Sequence, residues 1–183
     1  MSTRDNIIET ADTLLRKNGY NDFSYKDISE IVGIKTASIH YHFPAKTDLG
    51  IAIIQAHADR LQQDTAKLRS RPPLERLERF IQYYYKLSGA GQVCVVGAFA
   101  SDLGAVDENI RLKLNDFMQQ TANWVREILE DGQADGTFHL NIAAQDKAVL
   151  IITNLMGLAQ IARVGYLATF EQIKSQIINE IRK

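Results

Sequence analysis

Apolar residues recur along almost the whole chain at the three- and four-residue spacing that lines one face of a helix. Nowhere does an apolar–polar alternation persist long enough to make a strand. Ile7, Ala11, Leu14 and Leu15 share such a face. Ser2 with Asp5 three residues later resembles a capping box, and Gly19 suits the stop. Ser24 and Asp27 mark a second start, Ile28, Ile31 and Val32 supply its apolar face, and Gly33 ends it. A third short helix is expected from about Lys35 to His42, before the break at Pro44. Lys46 opens a long helix to about Arg69, with Leu49, Ile53, His57 and Leu61 in line. Pro72-Pro73 stop it and open the next, through Leu77, Ile81 and Tyr84 to about Leu87. Glycines 89, 91, 97 and 104 then surround Val93-Cys94-Val95-Val96, which predicts a loop, a short helix and a loop. Further helices are expected over about Val106–Ala134, Ala143–Val164 and Thr169–Arg182. The pattern predicts an all-α protein of about nine helices.

Composition narrows this picture. Of 183 residues, 45% are apolar and 23% charged, which excludes a disordered chain. With 21 basic against 22 acidic side chains, a globally basic nucleic-acid coat is excluded, although a local binding face is not. Cys94 stands alone, so no intrachain disulfide forms, and a reducing cytoplasm is the expected compartment. The first residues lack the apolar stretch of a signal peptide. The most apolar window, Ala148–Val164, is interrupted by Thr153, Asn154, Gln160 and Arg163, and is shorter than the roughly 20 residues that span a bilayer. It reads as a helix buried in protein, and no membrane partner is expected.

Helices two and three, joined by Gly33-Ile34, have the short turn of a helix-turn-helix, whose second helix fits the major groove of duplex DNA. At about 100° per residue, Ile39 and Phe43 share the inward face while Ala37, Ser38 and Tyr41 point away from it. Thr36, His40 and His42 lie on the flanks. A solvated face normally carries Glu and Lys. Here Ala37 permits close approach to a groove, Thr36 and Ser38 can bond base edges or phosphates, and Tyr41 and His42 can donate to phosphate oxygens. Lys46 sits at the start of the next helix, where the unpaired N–H groups also favour anions. The same pattern also fits part of a plain helical bundle. Residues 1–47 hold six basic and six acidic side chains, so binding would rest on local placement and helix dipoles.

These residues resemble the tetracycline-repressor (TetR) family of bacterial transcriptional regulators. The resemblance runs from Ile7 to Leu49: Ala11, Leu14 and Leu15, then Gly19-Tyr20, Phe23-Ser24, Asp27-Ile28, Gly33-Ile34, Ser38-Ile39-His40-Tyr41-His42-Phe43 and Lys46 with Leu49. It implies a helix-turn-helix DNA-binding domain at 1–47, helix four (46–69) as connector, and a helical effector-binding and dimerisation domain at 48–183. By position it implies groove contacts from Thr36, Ala37, Ser38 and His40, and phosphate contacts from Tyr41, His42 and Lys46. Ser24 matches a cap position that also touches phosphate. His40 stands where tyrosine is common, and Lys35 lies at a variable position with a possible part in operator choice.

The apolar residues of Ala148–Val164 cover more than one helix face, so burial on several sides is expected. Thr169–Arg182 carries Phe170, Ile173, Ile177, Ile178 and Ile181 as one stripe. Both helices suit either the monomer core or a second subunit, and the resemblance implies a homodimer through about 144–183, presenting two recognition helices to a palindromic operator. His57, Tyr83, Tyr84, Phe99, Phe117, Met118, Trp124, Met156 and Gln160 are candidates to line a site for an unidentified small-molecule effector, although aromatics and methionine at helical spacing equally make plain core. The Gly91–Gly97 segment around Cys94 resembles the glycine-x-cysteine opening of a central helix in a subset of the family. An alternative regulator would sense oxidants or electrophiles through Cys94. Against it, apolar neighbours suit a buried cysteine.

An enzyme, or a binding protein without DNA, is the remote alternative. Gly89-Ala90-Gly91-Gln92-Val93-Cys94 misses a dinucleotide fingerprint at its last position and follows no strand. His40 and His42 are two apart, on different sides of a helix, and cannot share a metal. Neither a cofactor nor a metal is expected.

Overall fold

Ser2 and Ser24 start helices for the same local reason. Each hydroxyl accepts the backbone N–H three residues on, Asp5 or Asp27, whose carboxylate accepts the serine's own N–H. These capping boxes open α1 (Thr3–Asn18) and α2 (Tyr25–Val32). Gly33, in the left-handed region at φ 74°, closes α2. The chain turns at once into α3 (Thr36–His42). Asp48 accepts the Ala45 N–H at 2.9 Å to start α4 (Lys46–Leu68). Pro73, whose missing N–H costs nothing in a first turn, starts α5 (Pro73–Gly89). Then come α6 (Val95–Ala100), a 3-10 turn (Leu103–Ala105), α7 (Glu108–Ala134), α8 (Ala144–Ala162) and α9 (Phe170–Ile181). The computed structural model describes residues 2–165 and 170–182. The expected start of the last helix at Thr169 lies outside the described residues. Helix α7 begins two residues later than expected because the Asp107 carboxylate accepts the Asn109 N–H.

Packing divides the chain into two compact units, Met1–Arg60 with Val95–Phe117, and Leu61–Cys94 with Met118–Lys183. The boundary at 47/48 expected from the resemblance is one of role. Packing groups the residues differently, because α6 and the start of α7 pack with the first helices.

In the first unit, Ile7, Ala11, Leu15, Ile28, Ile39 and Leu49 are fully buried. Gly50 lets α4 approach α6 and α7 closely: a Cβ there would meet Ile110 at 2.8 Å and Phe99 at 3.4 Å. Ile31, expected on the inward face of α2, is instead 62% exposed beside Leu14 in an open groove between α1 and α2.

In the second unit α5 packs on α8, and Leu77 and Ile81 of the one and Ile151 and Leu155 of the other are buried. Lys147 of α8 pairs with Glu180 of α9 at 2.7 Å, and Arg76 of α5 with Asp131 of α7 at 2.5 Å. Among the described residues no helix is long and apolar enough to cross a membrane.

Candidate DNA-reading surface and effector residues

The first three helices present α3 outward. Ile39 is fully buried and Phe43 is 2% exposed, while Tyr41 is 84% exposed and Ala37, Lys35 and His40 are exposed beside it. Thr36, Ser38 and His42 are half-buried. Ala37 and Tyr41 thus point outward as expected, whereas Ser38, expected outward, is half-buried and His40, expected on the flank, is exposed.

Two aromatic contacts and one hydrogen bond stiffen this face. The His40 ring meets Tyr25 edge-on at 4.8 Å, and the Tyr25 hydroxyl donates to the Phe43 carbonyl at 2.8 Å, where α3 ends. Tyr41 and His42 meet edge-on at 5.1 Å. Burial first, then the Asp48 charge, pushes the Tyr25 hydroxyl up to about 12, so it remains a donor at any physiological pH. Thr36 Oγ1 lies 3.5 Å from Ser29 Oγ, which leaves its other hydrogen-bonding capacity to the exposed side. Ser24 is exposed, its hydroxyl donating to Asp27 at 2.6 Å.

Lys46 requires a correction. It was expected to offer its ammonium to phosphate, but Nζ donates to the carbonyls of Tyr20 and Phe23, 2.5 Å from each, and lies 4.1 Å from the Phe23 ring centre. Burial depresses its pKa, against the raising influence of Asp102, Asp22 and Asp27. The side chain is turned into the first unit, toward the loop between α1 and α2. Two carbonyls and the Tyr20 and Phe23 ring faces surround the ammonium there and offset part of the cost of its burial.

The expected effector residues fall in both units. In the first, His57 Nε2 lies 2.7 Å from Asp12 Oδ1, and Arg16 reaches the other oxygen at 2.9 Å. Burial alone would raise the Asp12 carboxyl. The hydrogen bond from His57 and the charges of His57, Arg16 and Arg60 outweigh it and hold the pKa below the usual value. His57 is thus engaged in a buried hydrogen bond joining α4 to α1. Phe99 is fully buried against Tyr20, with ring centres 5.2 Å apart, and is core. Phe117 is half-buried, 6.1 Å from His57.

In the second unit, Trp124, Phe80 and Tyr84 form a continuous edge-to-face cluster, with centres 5.8 Å and 5.4 Å apart. Tyr84 continues to Tyr83 and to the Cys94 thiol. Burial drives the Tyr84 pKa well above its ordinary value, and Cys94 and Tyr83 add to that. Cys94 itself is buried. Trp124 is 6% exposed, and its Nε1–H has no acceptor among the described residues. Met118 and Met156 are half-buried and Gln160 is exposed. The open cleft at the α4–α5 turn, about 600 Å³, is lined instead by Arg69, Arg71, Pro73, Arg76, Asp131 and neighbours. Among the described residues no group of three or more His, Cys, Asp or Glu is placed to hold a metal.

Comparison with known proteins places this arrangement. Residues 7–53 match the family model for bacterial regulatory proteins of the tetR family. Residues 73–173 match that for the tetracyclin repressor-like C-terminal domain. A TetR-family transcriptional regulator from Agrobacterium tumefaciens superposes with a TM-score of 0.90 at 32% identity, over 98% of this chain and 97% of that one. A TetR transcriptional regulator from Legionella pneumophila gives 0.89 at 30%, over 100% and 98%. The HTH-type transcriptional repressor DhaR of Mycobacterium sp. (strain GP1) is 23% identical over 157 residues, 84% of this chain and 79% of its own. The two matched segments cover both the DNA-reading helices and most of the helical remainder, and these relatives are regulators, not enzymes. The chain belongs to the TetR family of bacterial DNA-binding transcriptional regulators.

Proposed function

We propose that the chain is a repressor that binds a palindromic operator as a homodimer in the cytoplasm and leaves it when a small molecule binds the helical remainder of the chain. The observation that carries the DNA reading is the two-sidedness of α3. Ile39 and Phe43 are sunk in the core, and this fixes the helix so that Ala37, His40 and Tyr41 are exposed, with Thr36, Ser38 and His42 half-buried beside them. Thr36, Ala37, Ser38 and His40 are the groove residues in this proposal. Tyr41, His42 and Ser24 hold phosphate, and Lys35 tunes operator choice.

Dimerisation is supported by the outer face of α8. Leu150 and Ile161 are 49% and 41% exposed, and lie on one line with Asn154 and Gly157. Two copies related by a two-fold axis would set their α3 helices about 34 Å apart, one turn of DNA. An effector site is supported by the Trp124–Phe80–Tyr84 cluster. A buried indole N–H without an acceptor costs about 1–3 kcal/mol, which a ligand carbonyl or ether oxygen there would recover. The ligand class is therefore apolar or aromatic with one hydrogen-bond acceptor. Release follows if the ligand prefers a dimer shape that does not fit DNA. The alternative through Cys94 draws no support from a thiol buried against the Tyr84 hydroxyl.

The test is enrichment of duplexes from a random-sequence pool by the purified chain, then footprinting on DNA flanking its own gene. An inverted repeat bound with strong salt dependence is expected. Failure to enrich any duplex at low salt overturns the proposal.

A further inference from the structure

The loop between α1 and α2 is held from two sides by side chains distant in sequence. Asp102, just after α6, accepts the Tyr20 N–H at 2.6 Å and the Asn21 N–H at 3.1 Å through one oxygen, and Asn21 Nδ2 at 3.2 Å through the other. Lys46, at the start of α4, donates to the Tyr20 carbonyl. The Tyr20 carbonyl and the Asn21 N–H belong to one peptide group. That group is therefore gripped at both ends, with an ammonium on its oxygen and a carboxylate on its hydrogen. Opposite charges at the two ends of a peptide dipole strengthen both bonds.

The surroundings leave this grip little room. Gly19, at φ 106°, would place a Cβ 2.9 Å from the Asp102 carboxylate, so the loop and the acid approach as closely as a glycine allows. The Tyr20 ring lies on Phe99 of α6, and the Phe23 ring lies under the Lys46 ammonium. Asp102 also raises the Lys46 pKa against burial, as a nearby opposite charge must.

We propose that Asp102 and Lys46 are the two jaws of a clamp on the Tyr20–Asn21 peptide, and that Asp102 is thereby a positioning residue for operator binding, fixing α1–α3 to the α6–α7 corner. The role rests on the operator reading above. Lys46 then serves DNA affinity from inside the protein, by orientation instead of by phosphate contact. A shift of α6 would reach the reading helices through this carboxylate, because nothing softer than a charge-assisted bond to backbone intervenes.

The experiment compares wild type, Asp102→Asn, Asn21→Ala, Lys46→Met and the double Asp102→Asn/Lys46→Met variant. The probes are a duplex enriched by the wild type from a random-sequence pool and a scrambled control, read by fluorescence anisotropy from about 50 to 200 mM salt. Amide hydrogen exchange at Tyr20 and Asn21 is read on the same samples. Asp102→Asn and Lys46→Met should each weaken enriched-duplex binding about tenfold. Asn21→Ala should cost less, and the scrambled duplex should not discriminate. The double variant should lose less than the product of the two, because both break one unit. Exchange at Tyr20 and Asn21 should accelerate in Asp102→Asn while helix content holds. The salt slope of Lys46→Met should equal that of the wild type. A slope reduced by about one would assign Lys46 to a phosphate and overturn the clamp. Wild-type affinity in Asp102→Asn, multiplicative losses or unchanged exchange would also overturn it. A wild type that enriches no duplex overturns the operator reading, and the positioning role with it.

Discussion

In the proposed DNA contact Ala37 serves by being small. It is exposed on a helix whose neighbours Ile39 and Phe43 are locked in the core, so a larger side chain there cannot turn away from an approaching duplex. Ala37→Glu should leave helix content and thermal midpoint nearly unchanged, since surface changes cost within about 0.5 kcal/mol. It should reduce affinity for the enriched duplex by about a hundredfold or more, through steric exclusion and a buried negative charge facing phosphates. Anisotropy titration checks this, and Tyr41→Phe should lose far less, keeping the ring and removing one donor.

Asp12 makes a second prediction at this scale. Its folded pKa lies below the usual 3.8, so it binds fewer protons in the native state than in the unfolded one near that pH. Its stabilising contribution is complete well above about pH 4 and is lost as pH falls through the folded value. Asp12→Asn leaves His57 and Arg16 without their buried carboxylate, and should cost about 3 kcal/mol near neutral pH. Urea unfolding of wild type and variant should converge as the pH is lowered below about 4. A constant difference across that range would deny Asp12 its role.

The helices show why some of this fold is legible in the chain and some is not. Starts fixed by neighbours three residues apart, Ser2 with Asp5 and Ser24 with Asp27, are written locally, and the structure has both capping boxes. The wheel of α3 is equally local, because seven residues share one periodicity. Ile31 is apolar at the right spacing yet exposed, since spacing says which residues share a face and not which neighbour covers it. Asp12 with His57, 45 residues apart, and Asp102 with Tyr20, 82 apart, depend on packing between helices and have no local signature. For the same reason the pattern leaves His57 and Phe99 open between core and ligand site, and only packing reveals His57 as the hydrogen-bond partner of Asp12 and Phe99 as core.

Helix α7 carries a prediction of its own. The Phe138 ring lies where a Cβ on Gly132 would be, and the Phe138 N–H donates to the Gly132 carbonyl at 2.8 Å. His139 then donates to Ile181 at the end of α9. Gly132→Ala therefore gains about 1 kcal/mol of helix propensity but drives a methyl group into a pinned aromatic ring. Overpacking should win, with a net loss of about 1–3 kcal/mol in urea unfolding. Gly89→Ala, with open space around its Cβ position in α5, should not destabilise the chain.

At the scale of the whole molecule the question is what covers α8. Deleting residues 144–183 would seem the direct test of dimerisation, but it would also strip Ile151, Ile152 and Leu155 from the core that α5 needs, and so confound association with unfolding. The exposed side of the same helix offers a cleaner test. Leu150, Asn154, Gly157 and Ile161 follow one another at helical spacing, with Val164 beyond at 83% exposure, and a Cβ on Gly157 would meet nothing within 4 Å in one chain. An apolar stripe with a glycine at its middle is open space for the monomer and a close-approach point for a symmetry mate, because a two-fold axis brings the same residues of both helices together. Ile161→Glu places two like charges beside that axis, while leaving the monomer's buried face untouched. Sedimentation equilibrium should then show a folded monomer with wild-type helix content. Affinity for a full inverted repeat should collapse toward that for a single half-site, since the second reading helix no longer arrives at high effective concentration. A dimer that persists in both Ile161→Glu and Gly157→Leu would place the subunit interface elsewhere on the chain.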